Sequence, residues 1–272
     1  MSFRNLSPLK MFQEMALDHN PELAFAAADR SEWEAWRTAA WPRVAACLGD
    51  DPPTCDLEPM FLAEWEHDDL IKQKWLIDVQ PGLSATLHVA IPKDINKGEK
   101  RPAILCWHGH GPFGKEPVMG NDSSPAMRAN IADHNYNYGH QMAKAGYVTF
   151  AIDWIGCGER NECTKPNHHM PQTRDWCNLY YLHATMLGMT PISINVSHGK
   201  AAVDFALTLP YVDPQRLGVM GLSGGGTMAL WSGLCDERLK AVEIICYSGL
   251  WAHFGYRDLN YCGMQIAPGL FK

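Results

Sequence analysis

One serine stands out as a residue that could act as a nucleophile. Ser223 is the centre of the pentapeptide 221–225, Gly-Leu-Ser-Gly-Gly, between an apolar strand-like run and a helix-like run. A strand that turns sharply into a helix at such a serine forms a nucleophile elbow, where small neighbours permit a strained backbone. The start of the helix also favours negative charge. We predict that Ser223 acts as a nucleophile, the alternative being a glycine-rich turn without catalysis.

A second glycine-rich segment follows another apolar run. The run 103–107, Ala-Ile-Leu-Cys-Trp, leads into the tetrapeptide 108–111, His-Gly-His-Gly. We expect its two imidazoles to hold this loop rather than to transfer protons. With Gly114 the loop also matches the spacing of a dinucleotide fingerprint, but the prolines that follow are expected to delay the helix that must bind the pyrophosphate. We therefore expect no nicotinamide or flavin cofactor.

The apolar pattern predicts the elements that position these residues. Residues 8–49 have apolar positions at three- and four-residue spacing and predict two or three helices. From about residue 73 the period changes to two and predicts an antiparallel hairpin. Short apolar strands then alternate with helices, which indicates an α/β fold with a mainly parallel sheet and helices on both faces. The predicted strands are 102–107, 147–152, 217–222 and 241–246, and the predicted helices are about 134–145, 195–208 and 224–235.

This pattern divides the chain into two parts. We expect an N-terminal helical extension over residues 1–72 and an α/β core over residues 73–272, with an insertion at about 155–193. The insertion is rich in cysteine, histidine and proline, and such insertions often shape substrate pockets. Its irregular spacing favours a pocket lining over a metal site, so no metal is expected.

Composition limits the classes of partner. Lys and Arg number 23 against 30 Asp and Glu, a net charge of −7, so we expect neither nucleic acid nor an anionic membrane. The N-terminus lacks the apolar core of a signal peptide, and no later apolar run approaches the roughly 18 residues of a membrane span. Nine cysteines without zinc-type spacing favour a reduced, cytoplasmic protein.

Four motifs, in the same order, resemble the α/β-hydrolase superfamily, and within it the dienelactone-hydrolase-like and acetyl-xylan-esterase-like branch. They are the loop 108–111, the strand and turn 151–160, the segment 212–218 that leads towards Ser223, and the segment 236–241. The resemblance covers about residues 73–272. It implies a Ser-His-Asp triad in the chain order serine, acid, histidine, no cofactor, and ester hydrolysis through an acyl-enzyme.

The resemblance also implies roles for residues around the serine. In this superfamily the loop after the third strand supplies one half of the oxyanion hole, and the residue after the nucleophile supplies the other. The backbone N–H groups of His110 and Gly224 are therefore the expected donors. Asp153, Glu159 and Arg160 are expected to fix the loop after the fourth strand by ion pairing rather than to take part in chemistry.

The acid and the base of the implied triad are not evident in the chain. In the superfamily they usually follow two later strands, so we expect C-terminal truncation, with about a hundred further residues beyond Lys272. The alternative is a triad within the 272 residues, with Asp258 as the acid and His253 as the base. Loss of later strands would expose an apolar edge, which is expected to favour a homo-oligomer.

Three functions fit these observations. The first is a serine carboxylic-ester hydrolase that acts on a small acyl or acetyl ester, and this is our prediction. The second is a catalytically silent binding protein that keeps the α/β-hydrolase fold without the triad. The third is a serine peptidase of the prolyl-oligopeptidase type, which would need a gating domain that no internal repeat supports.

Overall fold

The computed structural model describes residues 4–162, 175–247 and 262–270, and its described strands form one seven-stranded sheet. The strands are β1 (Met60–His67), β2 (Leu70–Gln80), β3 (Leu83–Pro92), β4 (Arg101–Trp107), β5 (Val148–Ile152), β6 (Val212–Leu222) and β7 (Leu239–Ile245). Across the sheet their order is β1-β2-β3-β5-β4-β6-β7. The α/β class is therefore confirmed.

The pairing of the strands brings the two glycine-rich segments together. β1, β2, β3 and β5 pair antiparallel in turn, whereas β5, β4, β6 and β7 pair in parallel. β4 and β6 are parallel neighbours, with Trp107 opposite Gly221 near their carboxyl ends. The loop 108–111 and the turn at Ser223 therefore leave the sheet side by side, at the edge where α/β folds bind ligands.

The helices cover both faces of the sheet. They are α1 (Pro8–Asp18), α2 (Arg30–Ala46), α3 (Lys115–Val118), α4 (Pro125–His134), α5 (Tyr138–Lys144), α6 (Asp175–Met186), α7 (Pro191–Thr208) and α8 (Gly224–Cys235), with 3-10 turns at Gly158–Arg160 and Gly263–Gln265. Side chains of α7 and α8 pack with one face of the strands in the larger core cluster. Side chains of α3 and α5 pack on the opposite face.

The helix predictions differ from the structure where local capping decides the boundary. The predicted helix 224–235 is confirmed as α8. The helix predicted at 195–208 begins earlier, because the Thr190 side chain accepts a hydrogen bond from the backbone N–H of Ser193 and caps α7. The helix predicted at 134–145 is wrong as one element, because the left-handed Asn135, with φ 49°, ends α4 before α5 begins.

The boundary of the predicted helical extension over residues 1–72 needs correction. α1 and α2 lie within it, but so do β1 and the start of β2, so the sheet begins at Met60 rather than near residue 73. β1 lacked a clear apolar alternation because it is an edge strand with seven exposed residues and pairs with β2 alone. None of the described helices combines the length and apolar character needed to cross a bilayer.

Candidate active site

Ser223 lies at the turn between β6 and α8 in a strained backbone conformation. Its φ is 59° and its ψ is −116°, a region that side-chain-bearing residues rarely adopt. Its backbone N–H donates to the carbonyl of Ile245 at 2.8 Å, which fixes the turn to the end of β7. The side chain is half-buried and does not cap α8. The Ser223 hydroxyl is therefore not engaged by the amide groups of the first helical turn.

Glycines allow the loop 108–111 to touch the Ser223 turn. A Cβ atom at Gly109 would lie 2.7 Å from the Leu222 carbonyl oxygen and 3.4 Å from Ser223 Cβ. A Cβ atom at Gly225 would lie 2.7 Å from the His108 carbonyl oxygen. A side chain at either glycine would collide with a backbone carbonyl oxygen, which cannot move unless the backbone moves. Both glycines are therefore required for this contact.

The structure brings the two predicted oxyanion residues together. A Cβ atom at Gly224 would lie 2.8 Å from His110 Nδ1. The His110 side chain packs edge-on against Trp154, with ring centroids 4.8 Å apart. His110 and Gly224 are therefore in close contact beside Ser223.

His108 holds the base of the loop. Its ring is fully buried, and Nδ1 accepts a hydrogen bond from the indole N–H of Trp154 at 2.7 Å. Nε2 lies 3.3 Å from the backbone N–H of Trp154 and 3.5 Å from Asp153 Oδ1, so the ring is held from both of its nitrogens. Burial lowers the pKa of His108 to about 4, so the ring is neutral at pH 7. The predicted structural role of His108 is confirmed.

A buried lysine organises the acidic residues after β5. Lys115 Nζ lies 2.6 Å from Asp153 Oδ2 and 2.8 Å from Glu159 Oε2. Asp153 also accepts the backbone N–H of Glu159 at 3.1 Å, and Arg160 donates to the Asp153 carbonyl at 2.9 Å. Burial opposes ionisation of Glu159, but Lys115 lowers its pKa to about 2. The predicted ion pairing is confirmed for Asp153 and Glu159, which pair with Lys115, whereas Arg160 binds a backbone carbonyl instead. Sequence reasoning missed Lys115, which is distant in the chain.

The segment after Gly114 corrects one expectation. The prolines do not delay a helix, since α3 begins at Lys115, and Pro117 is tolerated because first-turn N–H groups have no helical acceptor. The backbone N–H of Lys115 donates to Asp153 Oδ1 at 2.8 Å. The helix therefore starts against a carboxylate of the protein, an unfavourable place for a phosphate.

Two cysteines from separate segments meet at His110. Cys177 lies in the first turn of α6, and Cys262 directly precedes the 3-10 turn Gly263–Gln265. One nitrogen of His110 and the two sulfur atoms lie within 4.8 Å of one another. Hydrogen bonds from Cys262 and from His110 lower the pKa of the Cys177 thiol. No spacing in the sequence indicated this cluster.

The proposed acid and base cannot be placed. His253 and Asp258 lie outside the described residues, so the triad that would include them stays a prediction. None of the hydrogen bonds found between described residues joins a histidine to the Ser223 side chain. The described part of the site thus contains a strained serine and a closely packed glycine loop.

Comparison with known sequences gives a family for most of the chain. The model of the Abhydrolase family matches residues 2–238. This range includes α1 and α2, which lie outside the segment on which the motif resemblance rests. The "Putative hydrolase YtaP" of Bacillus subtilis (strain 168) is 24% identical over 201 residues, which cover 73% of this chain and 60% of that protein.

Solved structures share the fold. The chain superposes with a TM-score of 0.70 on a "putative acetyl xylan esterase (BF1801)" from Bacteroides fragilis NCTC 9343, at 21% identity, over 87% of this chain and 59% of that one. A glucuronoyl esterase from Solibacter usitatus gives a TM-score of 0.53 at 16% identity, over 80% and 59%. At such identities the likeness establishes the α/β-hydrolase fold alone. The chain spans about 60% of the length of these relatives.

Proposed function

The chain belongs to the Abhydrolase family, and from this premise we propose that it is a serine carboxylic-ester hydrolase with Ser223 as its nucleophile. The observation that carries the proposal is the backbone of Ser223, with φ 59° and ψ −116°, at the turn from β6 into α8. Strain of this kind is maintained at functional sites because it holds a reactive side chain in place. The strand, the strained serine and the helix together support the proposal of a nucleophile elbow.

In the proposed reaction Ser223 Oγ attacks the carbonyl carbon of an ester. The backbone N–H groups of His110 and Gly224 donate hydrogen bonds to the oxyanion that forms, and the start of α8 favours the same negative charge. A general base takes the Ser223 hydroxyl proton and returns it to the alkoxide, which leaves as the alcohol, and water activated by the same base then hydrolyses the acyl-enzyme to the acid. Loss of one oxyanion donor typically costs about 10²–10³ in kcat, which sets the scale of this contribution.

The Trp154 indole beside Ser223 supports a small acyl group as the substrate. A Cβ atom at Gly224 would lie 2.8 Å from Trp154 Cζ2, so the indole stands directly beside the turn. Trp154 is fully buried and its indole N–H is bound to His108. Because this buried indole and the His110 side chain both lie against the Ser223 turn, we propose an acetyl or similarly short acyl ester.

A catalytically silent binding protein is the second candidate. It is favoured by one observation, namely that no described histidine is hydrogen-bonded to the Ser223 side chain. In the esterase proposal the base and the acid are instead His253 and Asp258. The two candidates differ in the reactivity of the Ser223 hydroxyl, since only an esterase must activate it.

Labelling with a fluorophosphonate tests the proposal. We expect intact-mass analysis to find one covalent adduct on the protein and none on Ser223→Ala. Hydrolysis of 4-nitrophenyl acetate should be faster than that of the octanoate ester and should be lost in the same variant. If folded protein forms no adduct, the chain as it stands has no activated serine and the binding-protein candidate is supported. Loss of the adduct in His253→Ala would identify the base.

A further inference from the structure

The cluster of His110, Cys177 and Cys262 consists of ligands that soft metal ions prefer. Its imidazole nitrogen and two Sγ atoms lie within 4.8 Å of one another. Cys177 is buried, Cys262 is half-buried and His110 is exposed, so the cluster is partly accessible to solvent. We propose that these three residues bind one thiophilic divalent cation, with Zn²⁺ as the expected ion.

The donor set and its dimensions match a zinc site. Two thiolates and one imidazole are typical zinc ligands, with Zn–S near 2.3 Å and Zn–N near 2.0–2.1 Å. In a tetrahedral site these bond lengths separate the ligand atoms by about 3.8 Å. The cluster already gathers its atoms within 4.8 Å, so closure requires side-chain adjustments of about 1 Å.

The backbone of the cluster is held in place by contacts outside it. Cys177 packs in the larger core cluster. The backbone N–H that follows Cys262 donates to Asn178 Oδ1 on α6 at 2.9 Å. Further along this segment, the Gln265 amide donates to Thr227 Oγ1 on α8 at 2.7 Å. The site is therefore largely formed without a cation, which reduces the entropy lost on binding.

A second group of potential ligands among the described residues, His88, Glu116 and Glu159, is a weaker candidate for a cation. The ammonium of Lys115 contacts Glu159 at 2.8 Å, and Lys74 contacts the other oxygen of the same carboxylate. The ammonium groups of Lys115 and Lys74 thus already neutralise the Glu159 carboxylate. Among the contacts found between described residues, no lysine or arginine pairs with the cluster of His110, Cys177 and Cys262.

A bound cation would join three segments beside the Ser223 turn. It would connect the loop 108–111, through His110, to α6 and to the segment that begins at Cys262. Three protein ligands leave one tetrahedral position of Zn²⁺ for water or another ligand. The proposal does not require Ser223 to be a nucleophile, because it rests on the side chains of the cluster alone.

Titration of the reduced, metal-free protein with Co²⁺, followed by displacement with Zn²⁺, tests the site. We expect one equivalent to bind, with a sulfur-to-cobalt charge-transfer band that Zn²⁺ abolishes. Cys177→Ser and Cys262→Ser each remove one of two Co–S bonds, so the band should fall by about half. Affinity should fall at least about tenfold, since even outer-shell changes weaken metal sites by that factor.

Two further measurements separate metal binding from effects on folding. His110→Ala alters an exposed side chain and should weaken binding while the charge-transfer band at saturation persists. In the unmodified protein, Zn²⁺ should protect Cys177 and Cys262 from iodoacetamide but leave the exposed Cys55 reactive. Cys55→Ser is the matched control and should bind the cation normally. A missing band, equal alkylation with and without Zn²⁺, or unchanged affinity in both cysteine variants would overturn the proposal.

Discussion

Ser223 and His108 are held by the protein in states that each residue does not favour by itself. Ser223 has a positive φ, and the hydrogen bond from its backbone N–H to Ile245 helps to maintain it. His108 is kept uncharged in a fully buried position next to Trp154. Each state makes the free energy of unfolding smaller than it would be with a residue that favours that state. Both effects can be measured.

Replacement of Ser223 by glycine should stabilise the protein. Glycine adopts φ 59° without a steric cost, so we expect Ser223→Gly to raise the free energy of unfolding by about 1 kcal/mol. Ser223→Ala keeps a Cβ atom and should leave stability within about 0.5 kcal/mol of the original. Urea denaturation of both variants measures the difference. Equal stability of the two would contradict strain at this residue.

Stability should fall as the pH is lowered from about 6.5 towards 4, partly because of His108. Its pKa falls from an ordinary 6.5 to about 4 on burial, so below pH 6.5 the unfolded chain binds a proton that the folded protein excludes. The stability that comes from the neutral His108 ring is fully present above pH 6.5. It decreases as the pH falls below 6.5 and is lost once the pH has fallen through about 4. Urea midpoints at pH 7.5, 6 and 5 should show a shallower decline for His108→Gln.

His134→Gln is the control for this measurement, because His134 is exposed at the end of α4. It should retain the pH dependence of the unmodified protein. Identical slopes for the His108 and His134 variants would show that the His108 ring does not carry the effect.

At the scale of elements, α3 and the turn after β5 are joined through Lys115. Its ammonium neutralises Asp153 and Glu159, and its backbone N–H binds Asp153 again. Trp154 follows Asp153 directly, so this contact also fixes the indole that stands beside the Ser223 turn. The position of the site therefore depends on an ion pair that joins two separate loops.

Removal of the Lys115 charge should destabilise the protein strongly. Lys115→Met leaves the buried Asp153 carboxylate without a cation, and we expect a loss of about 3–5 kcal/mol. Lys74→Met removes another ammonium in contact with Glu159, but at a more exposed position, and should cost less than about 1 kcal/mol. Chemical denaturation compares the two. A similar loss in both variants would contradict the dominant role of burial.

At the scale of the whole molecule, the two faces of the sheet are covered unequally. Beyond α5, the described residues leave a cavity of about 640 Å³ over β4, β6 and β7. Among the residues that line it are Ile104, Met220, Ala241 and Ile245. β7 is also an edge strand of the described sheet. Ile104 and Met220 are themselves buried, so only part of this lining is exposed to solvent. The expected homo-oligomer stays a prediction.

The open face should bind an apolar dye. We expect anilinonaphthalene sulfonate to fluoresce with the folded protein, and Ala241→Glu to reduce this several-fold by placing a charge in the cavity. Leu234→Glu is the control, since Leu234 is an exposed apolar residue on α8. Sedimentation of the same variants tests self-association, which Ala241→Glu should weaken. An equal effect of both substitutions would show that the cavity is not the binding surface.

The sequence by itself determined features that depend on neighbours in the chain. Glycines around Ser223, the apolar runs of β4 and β6 and the limits of α8 were all evident, because strain, strand period and helix propensity act over a few residues. β1 was not predicted, because an exposed edge strand needs no alternation of apolar and polar residues. α5 was misjudged because the left-handed conformation of one asparagine ended the preceding helix.

Only the tertiary structure decided which distant residues meet. Lys115 lies 38 positions from its partner Asp153, and Gly263, next to Cys262, lies 85 positions from the Asn178 side chain that holds this segment. In the sheet, β5 lies between β3 and β4 although it follows β4 in the chain, and β4 pairs in parallel with β6. This order brings such segments to one edge of the sheet. Spacing in the sequence predicts ligands within one turn or hairpin, but His110, Cys177 and Cys262 become neighbours only through the packing of three separate segments.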